Sequence, residues 1–271
     1  MRWVNVRPGR RNSILLGAIP LLAILAAYML AAASRHAANP SDKLLPTPAA
    51  MFTAMHGLIA EVDPLSGRLV FWADTLASLE RLGIALGICT LSTLFVGMVL
   101  GVLPAARATL GGLVTAIAVI PPIALLPILF IVFGLGETAK VALIVIGVAP
   151  FLIRDLADHV AAIPQEQLVK AQTLGASSWQ LALRVALPQA LPRLIAGLRL
   201  SLGPAWVYLI SAEAIASDVG LGYRIFLVRR YLSMDVIIPY VAWISVLAIA
   251  MDVALAQLSR RAFAWAHGHR R

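Results

Sequence analysis

Six long apolar runs, separated by polar stretches that hold glycine and proline, set the pattern of this chain. They lie at Ile14–Ala33, Leu82–Leu103, Leu113–Phe133, Ala139–Ile153, Leu194–Ile215 and Val236–Leu258. A helix crossing the hydrocarbon core of a bilayer needs about 20 mostly apolar residues, so the pattern predicts an all-α membrane protein with six transmembrane helices. In the second run, Gly83, Gly87, Gly97 and Gly101 predict close helix approach, because packing drives helix association in lipid. The third run carries Pro121, Pro122 and Pro127. Their missing N–H groups leave carbonyls unpaired, which fits either a simple kink or a helix lining a water-filled path. Gly203-Pro204 is expected to interrupt the fifth run. Ahead of the second run, Asp74–Arg81 has helical spacing with Leu76, Leu79 and Leu82 on one side, and Ala49–Ile59 predicts a short amphipathic helix at the outer surface.

Between the fourth and fifth runs lies a polar island, Ile163–Pro192, whose order of residues predicts two short helices joined at a corner. Pro164 suits a first helical position, and Glu166 places negative charge at the positive helix end. Gly175 predicts a left-handed stop, and Ser177 with Gln180 has the spacing of a capping box that restarts a helix. Trp179, Leu183, Ala186 and Leu187 give the second helix an apolar face, and Pro188 and Pro192 are expected to close it.

Composition excludes a soluble domain: of 271 residues 61% are hydrophobic and only 13% charged, against about 25% charged in an average domain. The formal net charge of +9 comes from arginines spread over the ends and loops, so it reads as an orientation signal, not a nucleic-acid surface. Arg2, Arg7, Arg10 and Arg11 lead the chain, Arg260, Arg261, Arg270 and Arg271 close it, and Arg107, Lys170, Arg184 and Arg193 fall on the same predicted side. This bias places both termini in the cytoplasm, as six spans require; Arg229-Arg230 on the outer side is the exception. Arg10-Arg11 and the AAAS at 31–34 resemble an export signal with its cleavage site. However, the apolar run is longer than a signal core of about 7–15 residues, so an uncleaved first span is expected. The organisation is therefore a basic segment with the first span (1–34), an external segment (35–70), a five-span core with its loop (71–260, loop 163–192), and a basic tail (261–271).

Chemistry for an enzyme is missing. There is no HExxH, CxxC, GxSxG or metal-spaced acidic cluster, and His267-Gly268-His269 sits beside terminal arginines. The lone Cys89 reads as a packing residue. No GxxxxGK[ST] occurs, so any nucleotide must be held by a partner. Glu213 in the fifth run reads either as a carboxylate lining a translocation path or as one paired with a basic neighbour. Trp206, Tyr208 and Ser211 share its run, and with Pro122 and Pro127 they complete the candidate path. A secondary transporter would show internal repeats or paired intramembrane charges, neither of which the pattern offers.

Ala171, Gly175 and Leu187-Pro188, with Val185 two places earlier, resemble the "EAA…G…I-LP" loop of ABC importer permeases. Val169 and Lys170 depart from it, standing where Glu and Ala are frequent. LLPTP at 44–48, IPPIALLPILFIVFGLGE at 120–137 and GLRLSLGPAWVYLISAEAIASDVGLGYRI at 197–225 extend the likeness. Together they point to the subgroup serving taurine, aliphatic sulfonates and nitrate. The resemblance implies a multi-pass permease of the bacterial inner membrane with no cofactor of its own, ATP and Mg being bound by a partner. It also implies a homodimer in membrane lipid, an ABC ATPase subunit, and a periplasmic or lipid-anchored solute-binding protein. The coupling loop would use Glu166, Lys170, Ala171, Leu174, Gly175, Ala176, Val185, Leu187 and Pro188. A small nitrogen compound, urea-like or a pyrimidine precursor, is the alternative cargo.

Overall fold

The computed structural model describes residues 9–39, 42–64 and 67–267, and it is helical throughout, with no strand among them. Arg2, Arg7, Pro40, His269, Arg270 and Arg271 lie outside the described residues. The chain runs α1 (Arg10–Ala38), α2 (Pro48–Ala60) and α3 (Val70–Ser92), then through a π turn at Thr93–Gly97 into α4 (Met98–Val102). There follow α5 (Pro104–Val119), a 3₁₀ turn (Pro122–Leu125), α6 (Leu126–Phe133), α7 (Glu137–Ala161) and α8 (Gln165–Thr173). The last part is α9 (Ser178–Gln180), a π turn (Leu181–Ala186), α10 (Leu187–Ala216), α11 (Leu221–Arg229) and α12 (Met234–Ala262).

Among the described residues four helical runs are long and apolar enough to cross a membrane: Leu15–Ala38, Val70–Val102, Ser178–Ala216 and Met234–Ala262. A fifth is reached if the bent pair Pro104–Val119 and Pro122–Phe133 counts as one span. The surface agrees with a lipid setting, because large apolar side chains such as Leu21, Ile131, Leu200 and Ile249 are exposed. The charges Lys140, Arg154, Asp155 and Asp158 keep α7 out of that count, yet it is the central helix. Leu143, Ile144, Val148, Leu152 and Leu156 of α7 are buried together with Leu82, Ala85 and Cys89 of α3 and Ala190, Leu194, Leu198 and Leu209 of α10.

The structure corrects the expected spans at three places and gives the size of the bend expected in the third span. The second span starts at Val70, so Asp74–Arg81 is the first part of one helix and not a separate piece. The third span is not straight: α5 and α6 meet at 87°. Ile120 precedes a proline and is held extended (ψ 127°), and Pro121 follows it (ψ 113°), so neither can continue the helix. Gly203-Pro204 does not interrupt α10, and Pro188 and Pro192 do not close the helix begun at Ser178. The π turn widens the helix just before Pro188, relieving the ring's clash with the preceding turn, and the helix runs on through half-buried Pro192 and exposed Pro204. Of the four glycines in the second span, only two make a close approach. A Cβ on Gly97 would lie 3.1 Å from Leu156, and one on Gly101 would lie 2.5 Å from Val160, whereas Gly83 and Gly87 face open space.

Candidate functional site

The corner between α8 and α9 is built almost wholly from backbone. Glu166 lies in the first turn of α8, but Pro164 precedes the helix, where its extended ψ of 130° sets the entry. Gly175 has φ +85°, a left-handed conformation that glycine adopts without steric cost. The Gly175 N–H donates to the Gln172 carbonyl at 2.9 Å, and the Ala176 N–H donates to the Ala171 carbonyl at 3.0 Å. This is a Schellman ending, in which the last free carbonyls of α8 are capped. One residue on, the Ser177 N–H donates to Gln180 Oε1 at 2.9 Å and the Gln180 N–H to Ser177 Oγ at 3.3 Å, so a capping box starts the next helix. The two caps abut without a linker, which makes the corner stiff.

The corner has an inner and an outer side. Ala171, Ala176, Val185, Leu187 and Pro188 are half-buried, and Leu168 packs on the core that contains Ile163 and Ala186. Gln189 donates to Gln167 at 3.1 Å and ties α8 to α10. On the outer side Glu166, Lys170 and Gly175 are exposed, and Leu174 (82% exposed) and Trp179 (72%) project as bare apolar side chains.

At the other end of α10 a charge cluster joins five helices, α3, α7, α10, α11 and α12. Glu213 is 0% exposed, and each of its oxygens is engaged. Ser78 Oγ donates to it at 2.8 Å, Arg81 Nη1 at 2.6 Å and the Gly222 N–H at 2.8 Å. Arg81 also donates to the Val219 carbonyl at 2.8 Å and to both oxygens of Glu137, and Lys140 bonds Glu137 at 2.8 Å and Ser217 at 3.3 Å. Beside them Asp74 accepts from the Gly220 N–H at 3.0 Å, from Arg224 at 2.8 Å and from Tyr240 at 3.2 Å. Buried Glu213 and Asp74 and exposed Glu137 are balanced by Arg81, Lys140 and Arg224, as burial of the first two carboxylates requires. The glycines of the G-L-G run are needed here. A Cβ on Gly220 would fall 2.6 Å from the Glu213 carboxylate, and one on Gly222 would fall 2.7 Å from the Ile210 carbonyl.

Glu213 is thus the paired carboxylate of the two readings. Trp206 is also buried, and its indole N–H has no partner among the described residues. Tyr208 meets Pro122 over Gly147, where an added Cβ would lie 2.4 Å from the Tyr208 ring and 3.0 Å from Pro122. Pro127 is exposed on α6, and Ser211 bonds the Val207 carbonyl on its own helix. The structure therefore divides the six path residues between interior and surface. Sequence reading missed Asp74, Ser78 and Arg81, although the signal was present: three polar residues at helical spacing on one face of an otherwise apolar helix. Arg199 and Asp252 form a two-pronged pair at 2.7 and 2.9 Å between α10 and α12.

Comparison with known proteins agrees with this architecture. The chain is 37% identical over 198 residues to the taurine transport system permease protein TauC of Escherichia coli (strain K12), covering 73% of this chain and 71% of that one. It is 32% identical over 193 residues to the bicarbonate transport system permease protein CmpB of Synechococcus elongatus, covering 70% and 69%. Among solved structures, a chain of the inward-facing MetNI methionine ABC transporter superposes with a TM-score of 0.57 at 22% identity, covering 70% of this chain and 94% of that one, a likeness of fold. Proteins of this kind are multi-pass membrane permease subunits, with ATP hydrolysis in a separate chain. The family model for the binding-protein-dependent transport system inner membrane component matches residues 93–264, and the chain belongs to that family.

Proposed function

We propose that this chain is the permease of an ATP-driven importer in a bacterial inner membrane. Six crossings are supplied by α1, α3–α4, α5–α6, α7, α9–α10 and α12, with both termini and the α8 corner on the cytoplasmic side. Two copies form the path, two ATPase subunits hold ATP and Mg, and a periplasmic or lipid-anchored binding protein delivers the solute.

The observation that carries this reading is the α8 corner. A lever has to be stiff and has to offer a contact surface. The adjoining caps at Gly175–Gln180 supply stiffness, and exposed Leu174 and Trp179 supply apolar area for a partner to cover. ATP-driven closure of the ATPase pair then moves α8, and Gln189 and the buried Ile163–Ala186 contact pass the motion to α10. Near the outer end, the Glu213 cluster locks α10 to α3 and α11, so α10 moves as one rod. Tyr208, Ser211, Pro122 and Pro127 are the path residues in this scheme, with Trp206 and Glu213 supporting them from behind.

The cargo is a small sulfonate of the taurine type, supported by the likeness to the taurine permease. The bicarbonate relative favours a second reading, a small inorganic oxoanion. The test is uptake of radiolabelled taurine into proteoliposomes holding this subunit with its ATPase and binding protein, with bicarbonate and nitrate as competitors. ATP-dependent taurine uptake, unaffected by the competitors, is expected. Uptake that follows an ion gradient without ATP would instead identify a secondary transporter.

A further inference from the structure

A cavity of about 300 Å³ opens between α4, α5 and α7, lined by none of the residues of the corner or of the charge cluster. Its polar lining is Arg107, Arg154, Asp158 and Thr115, and Leu100 and Val114 form apolar wall. Arg107 is committed: it pairs with Asp158 and donates to the Ala157 carbonyl at 3.4 Å. Arg154 is not, since its one partner among the described residues is Asp158 at 3.9 Å, and that carboxylate already serves Arg107. Two guanidiniums against one carboxylate leave the cavity with excess positive charge and spare, planar donors. Such donors suit the oxygens of a phosphate. Further along α5, Leu110 and Leu113 are exposed, and no residue of that helix is buried. A charged recess beside the exposed apolar face of α5 fits a molecule that is anionic at one end and hydrocarbon at the other.

We propose that this cavity binds the phosphate of an anionic phospholipid, with Arg154 as the principal donor, Arg107 and Thr115 beside it, and the acyl chains along α5. Basic recesses between membrane helices bind lipid headgroups by this chemistry. The site rests on membrane embedding alone and not on the cargo or its coupling, so lipid binding and transport fail separately. The test uses the full chain purified with its partner subunits in detergent. Its melting temperature and retained lipid are measured with phosphatidylglycerol, phosphatidylethanolamine or inorganic phosphate added.

Phosphatidylglycerol is expected to be retained and to raise the melting temperature, and Arg154→Gln is expected to weaken that effect about tenfold. Arg154→Lys, which keeps the charge but loses the planar fork, is expected to recover only part of it. Equal effects of phosphatidylglycerol and phosphatidylethanolamine would overturn the proposal, as would an Arg154→Gln protein that binds like the parent. An Arg154-dependent shift with inorganic phosphate alone would overturn the lipid as the source and identify a free anion.

Discussion

At Glu213 the structure shows the pairing with a basic neighbour that the sequence held open beside a path-lining role. Its carboxylate is buried and satisfied by Ser78, Arg81 and the Gly222 amide, so its chemistry is spent on holding helices together. Removing one charge from such a pair leaves the other buried and uncompensated, at a cost of about 3–5 kcal/mol. Arg81→Gln is therefore expected to lower the melting temperature of the purified complex markedly. The double variant with Glu213→Gln should recover part of the loss, a coupling that a double-mutant cycle reads directly. Glu137, at the outer turn, gives a pH signature. Hydrogen bonding to Arg81 first, and then to Lys140, holds its pKa down from 4.5 to about 2. A depressed carboxylate stabilises the fold fully above its ordinary pKa, so the contribution is present above pH 4.5 and fades as pH falls towards about 2. Because the side chain is 62% exposed, solvent screens the pair and the effect is modest. Melting curves between those pH values should slope less in Glu137→Gln than in the parent.

At the level of elements, the corner was legible because caps are local: Gly175, Ser177 and Gln180 act on backbone groups within a few residues of themselves. The same is true of the bend at Pro121-Pro122, although its size, 87°, was not legible. The continuity of Ser178–Ala216 was not readable, because prolines that would end an isolated helix are retained where a π turn and neighbouring helices compensate. Glycine spacing likewise marked four candidates, and only packing shows which two matter. Gly101→Ala is expected to push α4 off α7 and cost about 1–3 kcal/mol, since the new Cβ would meet Val160 at 2.5 Å. Gly87→Ala, in open space on the same span, is expected to be neutral or to stabilise the helix by about 0.5–1 kcal/mol. Thermal melts of the two variants in one detergent separate these outcomes. Asp74, Ser78 and Arg81 were visible as a polar stripe, but their partners stand 56 residues away or more, and no local rule pairs them.

For the whole molecule, family membership and helical class could be read from the sequence, and the structure adds how the two ends of α10 are held. One end is fixed to a stiff exposed corner and the other to a charge-balanced cluster, and the helix between them carries Tyr208 and Ser211, two of the residues proposed for the path. The measurement that tests this account most directly is the ratio of solute transported to ATP hydrolysed in proteoliposomes containing Gly175→Val. Nothing lies within 4 Å of a Cβ at Gly175, so the substitution adds no clash and acts through φ +85° alone. A β-branched residue held there is strained by about 1–2 kcal/mol, enough to release the corner. The account predicts that ATP hydrolysis persists while uptake falls about tenfold. Uptake and stimulated hydrolysis equal to the parent, at equal amounts of protein, would contradict it.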